Sequence, residues 1–152
     1  MRNIVITQNS KILSTRRLKT ELNSPDSNHM IPEAIVKLPE ILVMTTYPPK
    51  ECGIATYSQD LIESLNKKFK NSFSVKICAL ETNVAKHIYD ESIKYVLNNK
   101  QKNAFYHLSE KINADDLIQV VLIQHEFGLF IKNEANLIQF LYKTRKAVII
   151  VF

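Results

Sequence analysis

The sequence predicts an α/β fold, a Rossmann-like doubly wound parallel sheet, on three observations. Residues 40–46, 117–124 and 147–152 carry apolar runs of strand length, the pattern of strands covered on both faces, and 73–80 alternates at first and then turns apolar. Between them, residues 54–69, 100–114 and 133–143 carry apolar side chains at helical spacing. Strand and helix therefore alternate along the chain, which is what a parallel sheet with right-handed crossovers produces.

Taken in order, residues 1–39 are expected to be an N-terminal extension, partly mobile, and residues 40–152 the folded domain. Asn3 to Thr7 has the composition of a short strand. The stretch from Asn9 to Asn28 is polar and mixed in charge, with Ser24, Pro25, Asp26, Ser27 and Asn28 as a turn cluster. The run Ile41, Leu42, Val43, Met44 is the first core strand. Pro48 and Pro49 end it, since proline donates nothing to a ladder, and the pair predicts an extended, polyproline-like exit. Gly53, one of only two glycines, then precedes a helix with Ile54, Tyr57, Leu61, Ile62, Leu65 and Phe69 on one face. Lys67, Lys68 and Lys70 gather at its end, where the helix dipole favours cations.

Residues 73–80 read as a second strand, 81–91 as a polar connection and 93–97 as a short strand of good β formers. Residues 100–114 read as a helix with Phe105, Leu108 and Ile112 inward. The run Leu117 to Gln124 is the strongest strand in the chain. Residues 125–130 are a loop. The helix over 133–143 is expected to bury Ala135, Ile138, Leu141 and Tyr142. Tyr57, Phe69, Phe105 and Tyr142 are expected in the core, and Asp115 and Asp116 in a turn.

The bulk numbers agree with one soluble domain. A chain of 152 residues that is 45% hydrophobic and 23% charged can bury roughly two-thirds of its surface. Two cysteines give no disulfide framework and fit a reducing compartment. No apolar run approaches the roughly 20 residues that span a bilayer, and Ile4, Val5 and Ile6 are cut off by Thr7, Gln8 and Asn9 before they make a signal sequence. The expected location is cytoplasmic. A net charge of +5 reads first as a solvated basic surface and second as a face for anionic lipid, that is, peripheral membrane contact, or for a nucleotide. No aromatic–basic motif points to nucleic acid. The four histidines and two cysteines show no metal-ligand spacing. Cys52, just before a helix, has a setting that lowers a thiol pKa, but no base accompanies it.

Ligands of doubly wound sheets bind beyond the carboxyl ends of the strands. Two loops belong to that edge. In the first, Gly53 and Ile54 begin a helix, whose leading N–H groups and dipole attract an anion; an ordinary strand-to-helix turn with a glycine for geometry is the plainer alternative. In the second, His125 stands beside Glu126 directly after a strand, a setting for proton transfer or for holding a sugar hydroxyl. There the alternative is a histidine that closes the strand while the aromatics pack on the sheet.

The segment Thr46, Tyr47, Pro48, Pro49, Lys50, Glu51, Cys52, Gly53, Ile54, Ala55, Thr56, Tyr57 resembles the opening loop of the GT-B glycosyltransferases of family 4 (group 1). Gln124, His125, Glu126, Phe127, Gly128, Leu129, Phe130 resembles a second motif of that family, and the two occur in the right order over residues 40–152. The resemblance implies the N-terminal, acceptor-side half of a two-domain GT-B enzyme. It implies Gly53 and Ile54 near the donor phosphates or the transferred sugar, and His125 as an active-site histidine near the reacting centre. Tyr47, Glu126, Phe127 and Gly128 would shape the acceptor side. The substrates implied are a nucleotide-sugar and a sugar acceptor, with no cofactor and no metal, the helix N-terminus and basic groups stabilising the leaving diphosphate.

Two departures stand out. Ile131, Lys132, Asn133 and Glu134 follow where the family carries more glycine. The sequence also stops at Val151 and Phe152, where the family's strand runs on into a second histidine loop and the nucleotide-sugar domain. A truncated half is therefore expected to have little transferase activity alone and to leave its last strand as a pairing edge. The competing reading is a non-enzymatic Rossmann-like remnant or protein-interaction module. A flavodoxin-like or response-regulator domain is weaker, since the acidic cluster and phosphate loop of such domains are not visible.

Overall fold

The computed structural model describes residues 4–7, 37–70, 72–81, 88–126 and 128–152. The expected polar connection over 81–91 lies in part outside them, as do most of residues 1–39 and Phe127. The described elements are β1 (Ile4–Thr7), β2 (Glu40–Thr45), α1 (Gly53–Phe69), β3 (Ser74–Glu81), β4 (Ile93–Asn98), α2 (Ala104–Ala114), β5 (Ile118–Gln124), α3 (Glu134–Lys143) and β6 (Ala147–Val151).

The six strands form one sheet in the order β1-β6-β5-β2-β3-β4. Strands β2 to β6 are parallel neighbours, and β1 pairs antiparallel with β6, Ile4 opposite Val151 and Thr7 opposite Val148. The fold is an α/β, Rossmann-like doubly wound sheet, as the alternation of elements predicts. The final strand is not an edge: β1, drawn from the segment expected to be peripheral, covers it, and the edges fall on β1 and β4.

Two apolar layers flank the sheet. On one face α2 and α3 contribute Phe105, Leu108, Ile112, Leu137 and Phe140 against Leu42, Met44, Val121 and Ile123. On the other, α1 lays Ile62, with half-buried Leu61, Leu65 and Phe69, on Ile41, Val43, Ile77 and Leu122. Every residue of β2 is buried, which explains its continuous apolar run.

Four further expectations are corrected. The proline pair is not an extended exit: a cis peptide joins Pro48 to Pro49, and the Lys50 N–H returns to the Tyr47 carbonyl at 3.2 Å, closing a tight turn. The α2 helix starts at Ala104, not Lys100. Residues 98–101 form a turn instead, in which Asn98 Oδ1 accepts from the Lys100 N–H and the Asn98 carbonyl from Gln101. Finally, α3 buries Leu137 and Phe140, while Ala135, Ile138 and Tyr142 face outward, Tyr142 being 88% exposed. Half-buried Leu141 is the one member of the expected stripe that packs inward. Tyr57 is likewise exposed, whereas Phe105 is buried and Phe69 half-buried.

At the amino edge of the sheet, strand order gathers a charged cluster. Lys94 pairs with Glu40, and its Nζ lies 2.5 Å from Asp115 Oδ2. Tyr95 Oη donates to Asp115 Oδ2 at 3.3 Å, and the Leu117 N–H to Asp115 Oδ1 at 3.0 Å. Burial lowers the Lys94 pKa, but the carboxylates of Asp115 and Glu40 outweigh it and leave it raised. Burial raises Asp115, and the hydrogen bonds from Lys94 and Leu117 bring it net below its ordinary value.

Candidate functional site

The chain leaves β2 toward β3 on one side, while β5 lies on the other and leads away to β6. The crevice outside the carboxyl ends of β2 and β5 is thus the topological switch point, where open α/β sheets bind ligands. A cavity of about 300 Å³ opens there, lined by Gly53, Ile54, Tyr57, Gln124, His125, Glu126, Val151 and Phe152. A larger groove of about 540 Å³ runs between β4 and α2, but it follows an edge strand away from the switch point.

The lining is built from below by neutral hydrogen bonds. Thr45 ends β2, Gln124 ends β5 and Ser58 lies one turn into α1; all three are buried. The Thr45 and Ser58 hydroxyl oxygens are 2.6 Å apart and lie 2.8 and 2.7 Å from Gln124 Oε1. Ser58 also donates to the Ile54 carbonyl at 2.7 Å. Two hydroxyl protons are shared among these acceptors, which ties the start of α1 to both central strands. Among the described residues every buried side-chain nitrogen and oxygen has a partner. This triad was missed from sequence. Its only signals are polar residues closing two apolar strands and a serine four positions after Ile54 on the helix.

The α1 N-terminus has no side-chain capping hydrogen bond and no acidic residue in its first turn, so its positive end is not neutralised locally. Neither glycine has a positive φ, and a Cβ built at Gly53 would meet nothing within 4 Å. The space over that residue is open, as close approach of a ligand to backbone requires. Cys52 precedes the helix with Sγ 3.6 Å from Thr46 Oγ1. Burial pushes its thiol up, but Thr46, the nearby amides of Ala55 and Ile54 and the Lys50 charge outweigh it, so its pKa falls below the ordinary value. Cys78, wholly buried in β3, is pushed up to about 12.

His125 sits across from the helix start. Its N–H donates to the Val151 carbonyl at 2.8 Å. Its ring stacks on Phe130, with centroids 5.4 Å apart and planes inclined by 16°, and lies 5.0 Å from the ring of Phe152. Phe130 is buried and reaches Phe105, so the imidazole rests on an aromatic wall anchored in the core. The plainer reading of this loop holds for Phe130, which packs in the core against the sheet, and His125 lies over it among the residues that line the cavity.

The structure brings together Gly53, Ile54, His125 and Glu126 of the residues read from sequence. Tyr47 packs instead against the α1-side core, its pKa raised by burial and by Asp90. Gly128 is exposed outside the lining, and Phe127 lies outside the described residues. Among the described residues no three His, Cys, Asp or Glu side chains could share a metal ion, and no helix is long and apolar enough to cross a membrane. No family model, curated protein or solved structure matches the chain.

Proposed function

We propose that the chain is the acceptor-side domain of a GT-B glycosyltransferase of family 4, holding one wall of a cleft in which sugar passes from a nucleotide-sugar to an acceptor. The observation that carries this reading is the meeting of its two motif loops. Gly53 and Ile54 at the start of an uncapped helix, and His125 on its aromatic wall, line the same cavity at the switch point. The positive end of α1 would hold a phosphate or the oxygens of the transferred sugar. His125 would hydrogen-bond a sugar hydroxyl near the reacting carbon, with Glu126 on the acceptor side. A volume of about 300 Å³ is at the small end for ligand sites and suits one sugar or its phosphate. Transfer itself is expected only with a second domain that holds the nucleotide, and with no metal, the charge of the leaving diphosphate being met by the helix and basic groups.

Amide resonances of the labelled chain, followed during titration with UDP-glucose, GDP-mannose and glucose 1-phosphate, test the reading. Shifts concentrated at Gly53, Ile54 and His125 are expected. Shifts centred on the β4–α2 groove, or none with any of the three, would reject it.

A further inference from the structure

Helices α2 and α3 cover the same face of the sheet and present a surface unlike that of α1. Lys100 and Lys102 precede α2 and Lys111 lies on it, while Lys132 precedes α3, Lys143 ends it and Arg145 and Lys146 follow; only Glu110 and Glu134 oppose them within residues 100–114 and 131–146. The excess of cations equals the net charge of +5 of the entire chain. All of these cations are exposed except Lys146, which is half-buried.

The outward side of α3, which Lys132, Lys143 and Arg145 flank in the sequence, carries an apolar stripe. On α3, Ala135, Ile138 and Tyr142 recur at helical spacing, turned away from buried Leu137 and Phe140, and exposed Ile131 lies in the turn before the helix. Ile131 and Ile138 are more than half exposed, and Tyr142 almost wholly so. A solvated helix puts polar residues outward. Here the outward stripe is apolar and its surroundings are cationic, the pattern of helices that lie in the interface of an anionic membrane. Nucleic acid would use the cations but gain nothing from isoleucines. A second copy of this chain would cover the stripe but bring its own excess of like charge.

We propose that the α2–α3 face docks on the anionic surface of a lipid bilayer. Ile138 and Tyr142 enter the boundary between headgroups and acyl chains, and the flanking lysines and Arg145 lie over the lipid phosphates. This stands apart from the candidate cavity, which opens at the carboxyl edge of the sheet.

Flotation of the full chain with phosphatidylcholine vesicles, with and without phosphatidylglycerol, tests the proposal. Binding is expected only to the anionic vesicles, weakening as salt screens the charges. Lys132→Glu with Arg145→Glu should lower partitioning by about fivefold or more per residue. Ile138→Ser with Tyr142→Ser should lower it by about tenfold per side chain withdrawn from the bilayer. Both pairs are on the surface, so the melting temperature should hold; if the serine pair unfolds the chain, the charge pair alone decides. Equal binding to neutral vesicles, no binding to anionic ones, or unchanged binding by a folded variant overturns the proposal. So does a dimer abolished by Ile138→Ser with Tyr142→Ser, or duplex RNA binding that anionic vesicles do not compete away.

Discussion

The two edges of the sheet are fastened by opposite chemistry. At the amino edge, Lys94 gathers Glu40 and Asp115 in a charged cluster whose members satisfy one another. At the carboxyl edge, Thr45, Ser58 and Gln124 tie β2, β5 and α1 with neutral groups alone. The difference is one of what is left over. The charged cluster satisfies its own hydrogen bonds but sets two carboxylates against one ammonium, so the charge it leaves over is negative and sits at the edge away from the cavity. The neutral triad fixes α1 without neutralising its positive end, so that field remains directed into the cavity. Glu126 is the one carboxylate among the cavity's lining residues, and it is exposed.

The largest expected effect breaks the charged edge. Lys94→Met leaves two largely buried carboxylates without their cation and should cost about 2–4 kcal/mol by denaturant unfolding. Its pH dependence is fixed by the two shifts. Asp115 is depressed, so its stabilisation is present above the ordinary carboxylate range and is lost as pH falls through the folded-state value. Lys94 is raised, so its stabilisation is present below the ordinary lysine range and is lost as pH climbs through the folded-state value. The gap between wild type and variant should therefore be a plateau around neutrality that narrows at both extremes.

A smaller effect is expected at the neutral edge. Gln124→Leu removes the shared acceptor of two buried hydroxyls and should cost about 1–3 kcal/mol. Its penalty should be flat from pH 5 to 9 on this account, since no member of the triad titrates. A pH-dependent penalty there, or a pH-independent one for Lys94→Met, would erase the contrast between the edges.

The smallest effect separates structure from ligand at Gly53. Because φ is not positive and a Cβ meets nothing within 4 Å, Gly53→Ala should be neutral or stabilise by up to about 1 kcal/mol, by restricting the unfolded chain. A thermal melt checks this. Any loss of sugar-phosphate binding by this variant would then report obstruction of the approach, not loss of fold.

What could be read from the sequence follows the same division. The buried strands were legible because helices on both faces leave their apolar residues unbroken, and Gly53 and His125 because each lies in the loop after such a strand, His125 at once and Gly53 beyond the proline turn. The Lys94 cluster was not, since residues 40, 94 and 115 meet only through the order β4-β3-β2-β5. Nor was the triad, because single polar residues at strand ends resemble ordinary strand termini. The inward face of α3 was misassigned because this short helix carries two apolar stripes, Leu137 with Phe140 and Ala135 with Ile138 and Tyr142. Periodicity finds a stripe but does not say which one meets a sheet.

The most direct measurement of the central claim is a thermal melt of the purified chain against a panel of nucleotide-sugars and sugar phosphates, run beside His125→Ala. A ligand that binds the folded state must raise its melting temperature by mass action. At least one ligand is expected to shift the cooperative transition upward, and His125→Ala to lose the shift while still melting cooperatively. A cooperative melt that no ligand moves, or a shift that His125→Ala retains in full, would contradict it.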